Sequence, residues 1–250
     1  MYTVSTTSPT DSARIHVDCA DDVLTVTLDY PERENEISAA MFERLVDLLG
    51  READKPSAKV LVLRGAGTAF CTGRERSATD LAGMQAEAKR IIALKRALRA
   101  TPLITVARVH GAAAGFGMGL ALLCDFAIVA ETAPLQFPEM KIGLPPAAIM
   151  AYLGEFALPR HAFPLVLFGD PFTAQHAKDI GLISDVVPMA ELDATVDALV
   201  KRICAIDAAS ARACKELFQT MQQQSFDANC RLAADALPLA SATLIRRTAH

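Results

Sequence analysis

The amino-acid sequence predicts an α/β fold whose sheet is mostly parallel. Segments typical of strands alternate with segments typical of helices over the first two thirds of the 250 residues. The strand-like segments "AKVLVLRG" and "LITVARVHG" are largely apolar on both faces, which indicates strands covered by helices. Because 52% of the residues are hydrophobic, one domain can bury a large core.

Each element follows from a local pattern. Apolar and polar residues alternate through "RIHVDCADDVLTVTLDY" on both sides of residues 20–22, which predicts a hairpin. Ser38 is a candidate N-cap for a helix over "SAAMFERLVDLLGREAD". The strand "AKVLVLRG", the helix "TDLAGMQAEAKRIIALKRALRA" and the strands "LITVARVHG" and "DFAIVAE" follow. From Thr173 onward the pattern is mainly helical and includes one strand-like segment, "LISDVV".

Charge and cysteine content narrow the functional classes. A net charge of -4 without a long basic run argues against nucleic acid or an anionic membrane surface as a partner, and no run of about 18 apolar residues predicts a membrane span. The six cysteines form neither a CxxC pair nor a Cys/His spacing that fits zinc, so we expect no metal site and predict a reducing cytoplasm. Residues 1–13 lack the features of a signal peptide and are expected to form a disordered lead-in.

Four glycines stand close together in "HGAAAGFGMGLALLCDFAIVAE", at positions 111, 115, 117 and 119. Their spacing fits neither GxGxxG, nor a P-loop, nor a GxSxG nucleophile elbow. Two uses remain. The strand could turn tightly into a helix and expose N–H groups at the positive helix N-terminus, where an anion binds. The glycines could equally allow close packing of backbones, and the spacing alone does not decide between the two.

A second loop, "GTAFCTGRER" at residues 67–76, also follows a predicted buried strand. Two glycine-containing turns after neighbouring parallel strands can direct backbone N–H groups at one point. Such a pair of donors forms an oxyanion hole, which stabilises negative charge on a carbonyl oxygen.

Five ordered motifs resemble those of the crotonase (enoyl-CoA hydratase/isomerase) superfamily. "LDYPERENEIS" is similar to the family's "NRPExxNA", "AFCTGRE" to "FxAGxD", and "VHGAAAGFGMGLALLCDFAIVAE" to "xNGxAxGGGxxLALxCDxxxA". "FPEMKIGLPP" and "GDPFTAQHAKDIGLISDVVP" are similar to its two later segments. The resemblance runs from about Val23 to Pro188.

The resemblance implies a crotonase-like ββα spiral over residues 14–190 and a helical C-terminal oligomerisation region over 191–250. It also implies an acyl-CoA substrate, a place in fatty acid metabolism, and a homotrimer or a dimer of trimers. No separate cofactor is expected, because the substrate carries the coenzyme A.

The family's catalytic positions fall on four residues. The oxyanion N–H groups would come from Arg74 and Phe116, and the Arg74 side chain could also meet a carboxylate or a CoA phosphate. One family glutamate falls on Glu139, whose apolar neighbours would raise its pKa and suit it to proton transfer. The other falls on Gly119, so one carboxylate is missing. Glu75 is the local candidate for a second acid.

Substrate contacts are expected from two loops and one helix. CoA would meet Arg33 and the backbone of the "AFCTG" loop, and the helix after that loop would form a pocket wall through Leu81 and Met84. A plain surface charge at Arg33 and ordinary core packing of Leu81 and Met84 are the equal alternatives. The expected substrate-binding residues are Arg33, Cys71, Gly73, Leu81, Met84, Gly115, Gly117 and Gly119.

The reaction stays open between hydration and isomerisation, because one carboxylate can activate water or move a proton between two carbons. "IGLPPAAIMAYL" resembles bacterial hydratases of branched glutaconyl-type CoA esters, which favours hydration. The alternatives are an isomerase, another reaction of the same scaffold such as decarboxylation or thioester hydrolysis, and a non-catalytic acyl-CoA-binding subunit. Gly119 and the bulky residues at the oxyanion positions suggest the last of these.

Overall fold

The computed structural model describes residues 14–222 and 224–248, so the predicted lead-in at 1–13 lies outside the described residues. The strands are β1 (Arg14–Ala20), β2 (Val23–Asp29), β3 (Val60–Gly65), β4 (Ile104–Val109), β5 (Ala113–Ala114), β6 (Phe126–Ala130), β7 (Leu135–Gln136) and β8 (Asp185–Val187). They form a six-stranded sheet in the order β1-β2-β3-β4-β6-β8 and a two-stranded sheet of β5 and β7.

The larger sheet has the predicted mostly parallel character. β1 and β2 form an antiparallel hairpin that turns at residues 21 and 22, and every later pairing in the sheet is parallel. β3 is buried over its first four residues, and its apolar side chains join one core cluster with those of β2, β4 and β6. The predicted α/β fold with a mostly parallel sheet is therefore confirmed.

The helices are α1 (Ala39–Asp54), α2 (Leu81–Ala100), α3 (Phe116–Leu123), α4 (Ala147–Leu153), α5 (Pro159–Phe168), α6 (Ala174–Asp179), α7 (Leu192–Cys204), α8 (Ala208–Met221) and α9 (Phe226–Thr248). Short 3₁₀ turns lie at Pro31–Arg33, Pro138–Ile142 and Met189–Glu191. Ser38 caps α1 as predicted, because its side chain accepts a hydrogen bond from the backbone N–H of Met41.

The chain divides into two compact units, Met1–Ala208 and Ala209–His250. The first unit extends past the predicted end of the core at residue 190, because α7 packs against β3, β4 and β6. The described part of the second unit consists of α8, apart from its first residue, and α9. Among the described residues, none of the helices has the length and apolar character needed to cross a membrane.

Candidate active site

A cavity of about 580 Å³ opens where the predicted oxyanion loop, the glycine-rich turn and the "FPEMKIG" segment meet. α2 closes one side and the residues before and within α4 close another. The lining comprises Arg33, Glu36, residues 72–74, Arg76, Ala88, Ile91, Lys95, Gly115, Phe116, Pro138, Glu139 and residues 144–149. All three residues predicted to be catalytic, Glu139, Arg74 and Phe116, are therefore brought together in one cavity.

The two loops meet through backbone contacts that only glycine permits. The N–H of Ala114 donates to the carbonyl of Cys71 at 3.0 Å, which ties the glycine-rich turn to the oxyanion loop. A Cβ atom on Gly117 would lie far inside 3.0 Å of the same Cys71 carbonyl, and one on Gly111 would overlap the carbonyl of Thr68. Close packing is thus one purpose of these glycines.

Gly115 serves the other purpose, a tight turn from β5 into α3. Its φ of +52° lies in a region that side chains rarely adopt, and it immediately precedes the helix. The N–H of Phe116 at the helix start has no hydrogen-bond partner among the described residues, as expected for a first helical position. The bulky Phe116 side chain is buried, and its ring centroid lies 5.0 Å from that of Phe42. The ring therefore packs in the core, and Phe116 is at the same time part of the cavity lining.

Arg74 likewise lines the cavity, and its backbone N–H has no hydrogen-bond partner in the described part of the chain. Its side chain pairs with Glu87 of α2, with an Nη1–Oε2 distance of 2.7 Å. The sequence analysis gave a carboxylate or a CoA phosphate as possible partners of this guanidinium, and in the structure its partner is the Glu87 carboxylate.

Glu87 fixes the segment that follows Arg74. Its carboxylate also accepts hydrogen bonds from the backbone N–H groups of Ser77 and Ala78, at 3.0 and 2.8 Å. Burial alone would raise the pKa of Glu87, but the hydrogen bonds from Arg74, Ser77 and Ala78 outweigh it and lower the pKa to about 2. The ionised carboxylate is therefore the form that stabilises this fold.

Replacing Glu87 with Gln is expected to lower the free energy of unfolding by about 1–3 kcal/mol near neutral pH, because charge-assisted hydrogen bonds are lost. A depressed pKa stabilises the folded state above the ordinary value of 4.5, and this contribution disappears as the pH falls toward about 2. Urea unfolding across this pH range should show the wild type and Glu87→Gln converging in acid. Glu43→Gln, at an exposed position of α1, serves as the control. A constant difference at every pH would contradict this account.

Glu139 lies in the 3₁₀ turn directly against Gly115. A Cβ atom on Gly115 would stand 2.9 Å from Oε1 of Glu139, so the carboxylate borders the start of α3. Oε2 is buried and has no hydrogen-bond partner among the described residues. Burial raises the pKa of Glu139, and its own backbone N–H, Arg76 and Lys95 oppose that rise only in part. A partly desolvated carboxyl with one oxygen unengaged is suited to exchanging a proton with a molecule in the cavity.

Lys95 of α2 reaches the same cavity and is only 5% exposed. Its ammonium donates to the carbonyl of Ala148 at 3.0 Å and to the hydroxyl of Tyr152 at 2.7 Å. The Tyr152 hydroxyl donates in turn to the carbonyl of Gly119 at 3.2 Å. The Lys95 amine thus lies beside Gly119, the position at which this sequence lacks the family's other glutamate.

The family model for enoyl-CoA hydratase/isomerase matches residues 18–238, which include every residue that lines the cavity. The chain belongs to the enoyl-CoA hydratase/isomerase family. The family predicted from the five sequence motifs is thereby confirmed.

Individual family members agree with this assignment. A relative from Mycobacterium bovis, "Probable enoyl-CoA hydratase echA6", is 33% identical over 183 residues, which are 70% of this chain and 71% of that protein. The crystal structure of enoyl-CoA hydratase from Mycobacterium smegmatis has a TM-score of 0.87 at 26% identity, covering 92% of this chain and 91% of that one. A Thermobifida fusca structure in complex with CoA has a TM-score of 0.83 at 29% identity, covering 93% and 94%. These likenesses confirm the crotonase fold.

Five of the predicted substrate-binding residues in this hydratase/isomerase family member do not line the cavity. Leu81 and Met84 are exposed in the first turn of α2, and the wall is formed further along that helix by Ala88, Ile91 and Lys95. The others lie behind the lining: Cys71, Gly117 and Gly119.

Two of these positions have clear structural roles. The Cys71 thiol is fully buried and donates to the Gly73 carbonyl at 3.3 Å, and burial raises its pKa to about 12. Gly117 packs against Cys71.

The other three predicted substrate-binding residues, Arg33, Gly73 and Gly115, do line the cavity. Glu75, the suggested second acid, lies outside it in a small cleft with Glu87.

Asn35 supports the oxyanion loop of this family member, although the sequence analysis gave it no role. It is fully buried, and its side-chain amide donates to the carbonyls of Ala66 and Ala69 at 2.8 and 2.7 Å. Its side-chain oxygen accepts from the N–H of Tyr30 at 2.8 Å. The signal was present, because Asn35 falls on the asparagine of the "NRPExxNA" motif. Lys95 and Tyr152 carried no sequence signal of this kind.

Proposed function

We propose that this protein hydrates an unsaturated acyl-CoA, with the thioester carbonyl held by the N–H groups of Arg74 and Phe116. The observation that carries the proposal is the position of Glu139. Its carboxylate stands against Gly115, beside these two unpaired donors and inside one cavity. Proton transfer and carbonyl polarisation would therefore occur at adjoining points, as addition to an α,β-unsaturated thioester requires.

The two N–H groups supply the electrostatic part of the mechanism. When a nucleophile adds to the β-carbon of an enoyl thioester, negative charge develops on the carbonyl oxygen. Donors that are already fixed by packing stabilise this charge without reorganisation, each contributing about 3 kcal/mol. The two donors are held in place by the contacts of Gly117 with Cys71 and by the hydrogen bonds of Asn35 to the oxyanion loop.

Glu139 supplies the base. Its unengaged Oε2 would accept a hydrogen bond from a water molecule and take a proton as the water oxygen attacks the β-carbon. Because burial raises the pKa of this carboxyl, its conjugate base is more basic than that of an exposed glutamate. The carboxylate form must be present before reaction, so activity requires a pH above that raised pKa.

The nucleotide part of CoA is proposed to lie near Arg33, at the mouth of the cavity. Arg33 is exposed and forms an ion pair with Glu36 at 2.6 Å, and both residues line the cavity. The Thermobifida fusca neighbour, whose structure was solved with CoA, supports an acyl-CoA ligand for this chain. A phosphate could replace the Glu36 carboxylate as the partner of this guanidinium.

Isomerisation is the second candidate, and Gly119 favours it. No carboxylate side chain at position 119 assists Glu139, and one carboxylate is enough to move a proton between two carbons of an acyl-CoA. The oxyanion hole would then stabilise the enolate that lies between the two double-bond positions.

Mass spectrometry in deuterated water tests these functions together. The wild type is incubated with a panel of enoyl-CoA esters that differ in chain length, branching and a second carboxyl group. We expect a product heavier by one added D₂O. Incorporation of deuterium without added water would indicate isomerisation, loss of carbon dioxide a decarboxylase, and release of free CoA a thioesterase. Binding of the esters without any change in their mass would overturn the proposal in favour of a binding subunit.

A further inference from the structure

The Lys95 amine lines the cavity together with Glu139, and the proposed hydration gives it no role so far. Lysine is rarely buried, yet this residue in the C-terminal half of α2 is only 5% exposed. Its Nζ lies 4.5 Å from the ring centroid of Tyr152 and 5.7 Å from that of Phe116, the residue that provides one oxyanion donor. The amine is therefore held close to the start of α3.

The hydrogen bonds of this amine leave one of its three N–H donors unused. An ammonium has three N–H donors, and two of them reach the Ala148 carbonyl and the Tyr152 hydroxyl. The Tyr152 hydroxyl uses its own proton on the Gly119 carbonyl, so it accepts from Lys95 rather than donating to it. The third donor is available to a group in the cavity that Lys95 lines.

Gly119 makes the space in which the amine stands. A Cβ atom on Gly119 would lie 3.3 Å from Nζ of Lys95 and 2.6 Å from the Tyr152 hydroxyl. A longer side chain at this position would thus compete with the amine for the same volume. Gly119 therefore stands where the family has a glutamate, and its lack of a side chain leaves room for the Lys95 amine.

Two titratable groups interact with the amine, and the charged side chains of Arg33, Glu36, Arg74 and Arg76 line the same cavity. Glu139 acts on it from the 3₁₀ turn, and Tyr152 contacts it from α4. Burial lowers the pKa of Lys95 to about 7, and the negative charge of Glu139 opposes that fall. Both forms of the amine are therefore populated near neutral pH, which is the condition for an effective proton donor.

We propose that Lys95 is the second proton-transferring group of this site and donates the proton that the α-carbon receives. The proposal rests on the hydration proposed above. Glu139 takes a proton from water while the water oxygen forms its bond to the β-carbon and the π electrons move toward the thioester. The enolate then takes a proton from the Lys95 ammonium at its α-carbon. Glu139 ends with one proton more and Lys95 with one fewer, and return of that proton between them restores the starting state.

The test compares pH–rate profiles of four variants with the wild type on the ester that the panel identifies. Lys95→Met should lower kcat by about 10²–10⁴-fold and remove the fall in activity as the pH rises through about 7. Lys95→Arg keeps the charge but cannot release a proton in this range, so it should not restore kcat. Lys89→Met, at an exposed position of the same helix, should behave as the wild type.

Tyr152→Phe gives a readout that does not depend on removing the amine. It deletes an acceptor that stabilises the ammonium, so the alkaline fall in activity should move to lower pH. Circular dichroism and thermal unfolding verify that each variant is folded. If Lys95→Met does not fold, the shift in Tyr152→Phe decides the question.

The outcomes separate this inference from the proposed function. Wild type that turns over no ester would remove the hydration proposal and this inference with it. If the wild type is active and Lys95→Met is equally active, this inference alone is overturned. Recovery of kcat in Lys95→Arg, or an unshifted alkaline limb in Tyr152→Phe, would show that only the charge or the packing of Lys95 matters and would also overturn it.

Discussion

Replacing Glu139 with Gln is expected to lower kcat for the hydration of an enoyl-CoA by about 10²–10⁴-fold, because the amide cannot accept a proton from water. The substitution keeps the size of the side chain beside Gly115, so KM should change little. In the wild type, activity should fall in acid as Glu139 becomes protonated. Burial raises this pKa, so the fall should occur above the ordinary value of 4.5. Steady-state kinetics over a range of pH measure both effects.

Glu131→Gln is the matched control for this experiment. Glu131 is an exposed carboxylate that precedes the same segment and does not line the cavity. Its replacement should leave kcat and the acidic limb as they are in the wild type. Should Glu139→Gln retain the acidic limb and most of its activity, the base would have to be another group, and Glu36 would be the next carboxylate of the cavity to test.

Replacing Gly117 with Ala is expected to destabilise the fold by more than about 3 kcal/mol, or to prevent folding. The added Cβ would overlap the backbone carbonyl of Cys71, and a backbone atom cannot rotate away as a side chain can. The strain acts where the two loops of the site are joined. Urea unfolding followed by circular dichroism measures the loss, and activity should be lost with it.

Gly50→Ala supplies the comparison for Gly117→Ala. Gly50 lies within α1, and a Cβ there would meet no atom within 4 Å. Alanine is favoured over glycine in a helix, so this variant should gain about 0.5–1 kcal/mol. Equal behaviour of the two variants would mean that the loops can separate, and that the rigidity attributed to the oxyanion donors is absent.

Features that depend on neighbouring residues were predicted well from the sequence. The Ser38 cap, the β1–β2 hairpin and the apolar strands of the sheet all depend on short-range patterns, and each forms as expected. Glu139, Arg74 and Phe116 were predicted as catalytic residues from their positions in the family's motifs, and these motifs lie on three different loops. The structure places all three around one cavity.

Features that depend on which faces of distant helices meet were not predictable in this way. The pocket wall was expected at Leu81 and Met84, but the buried face of α2 begins only at Ile91, and the first turn stays exposed. Lys95 belongs to that buried face and meets Tyr152, which is 57 residues away. Sequence alone gives an isolated lysine a surface position by default, since its burial depends on partners elsewhere in the chain.

The use of backbone rather than side-chain donors affects how this site can be lost in evolution. A point mutation at Arg74 or Phe116 changes a side chain that pairs with Glu87 or packs on Phe42, but it leaves the N–H in place. Proline is the one exception among the twenty amino acids, because it has no N–H. At position 116 it would occupy the first residue of α3, where helices accept proline readily. The proposed oxyanion donors are therefore protected against nearly all single substitutions at their own positions.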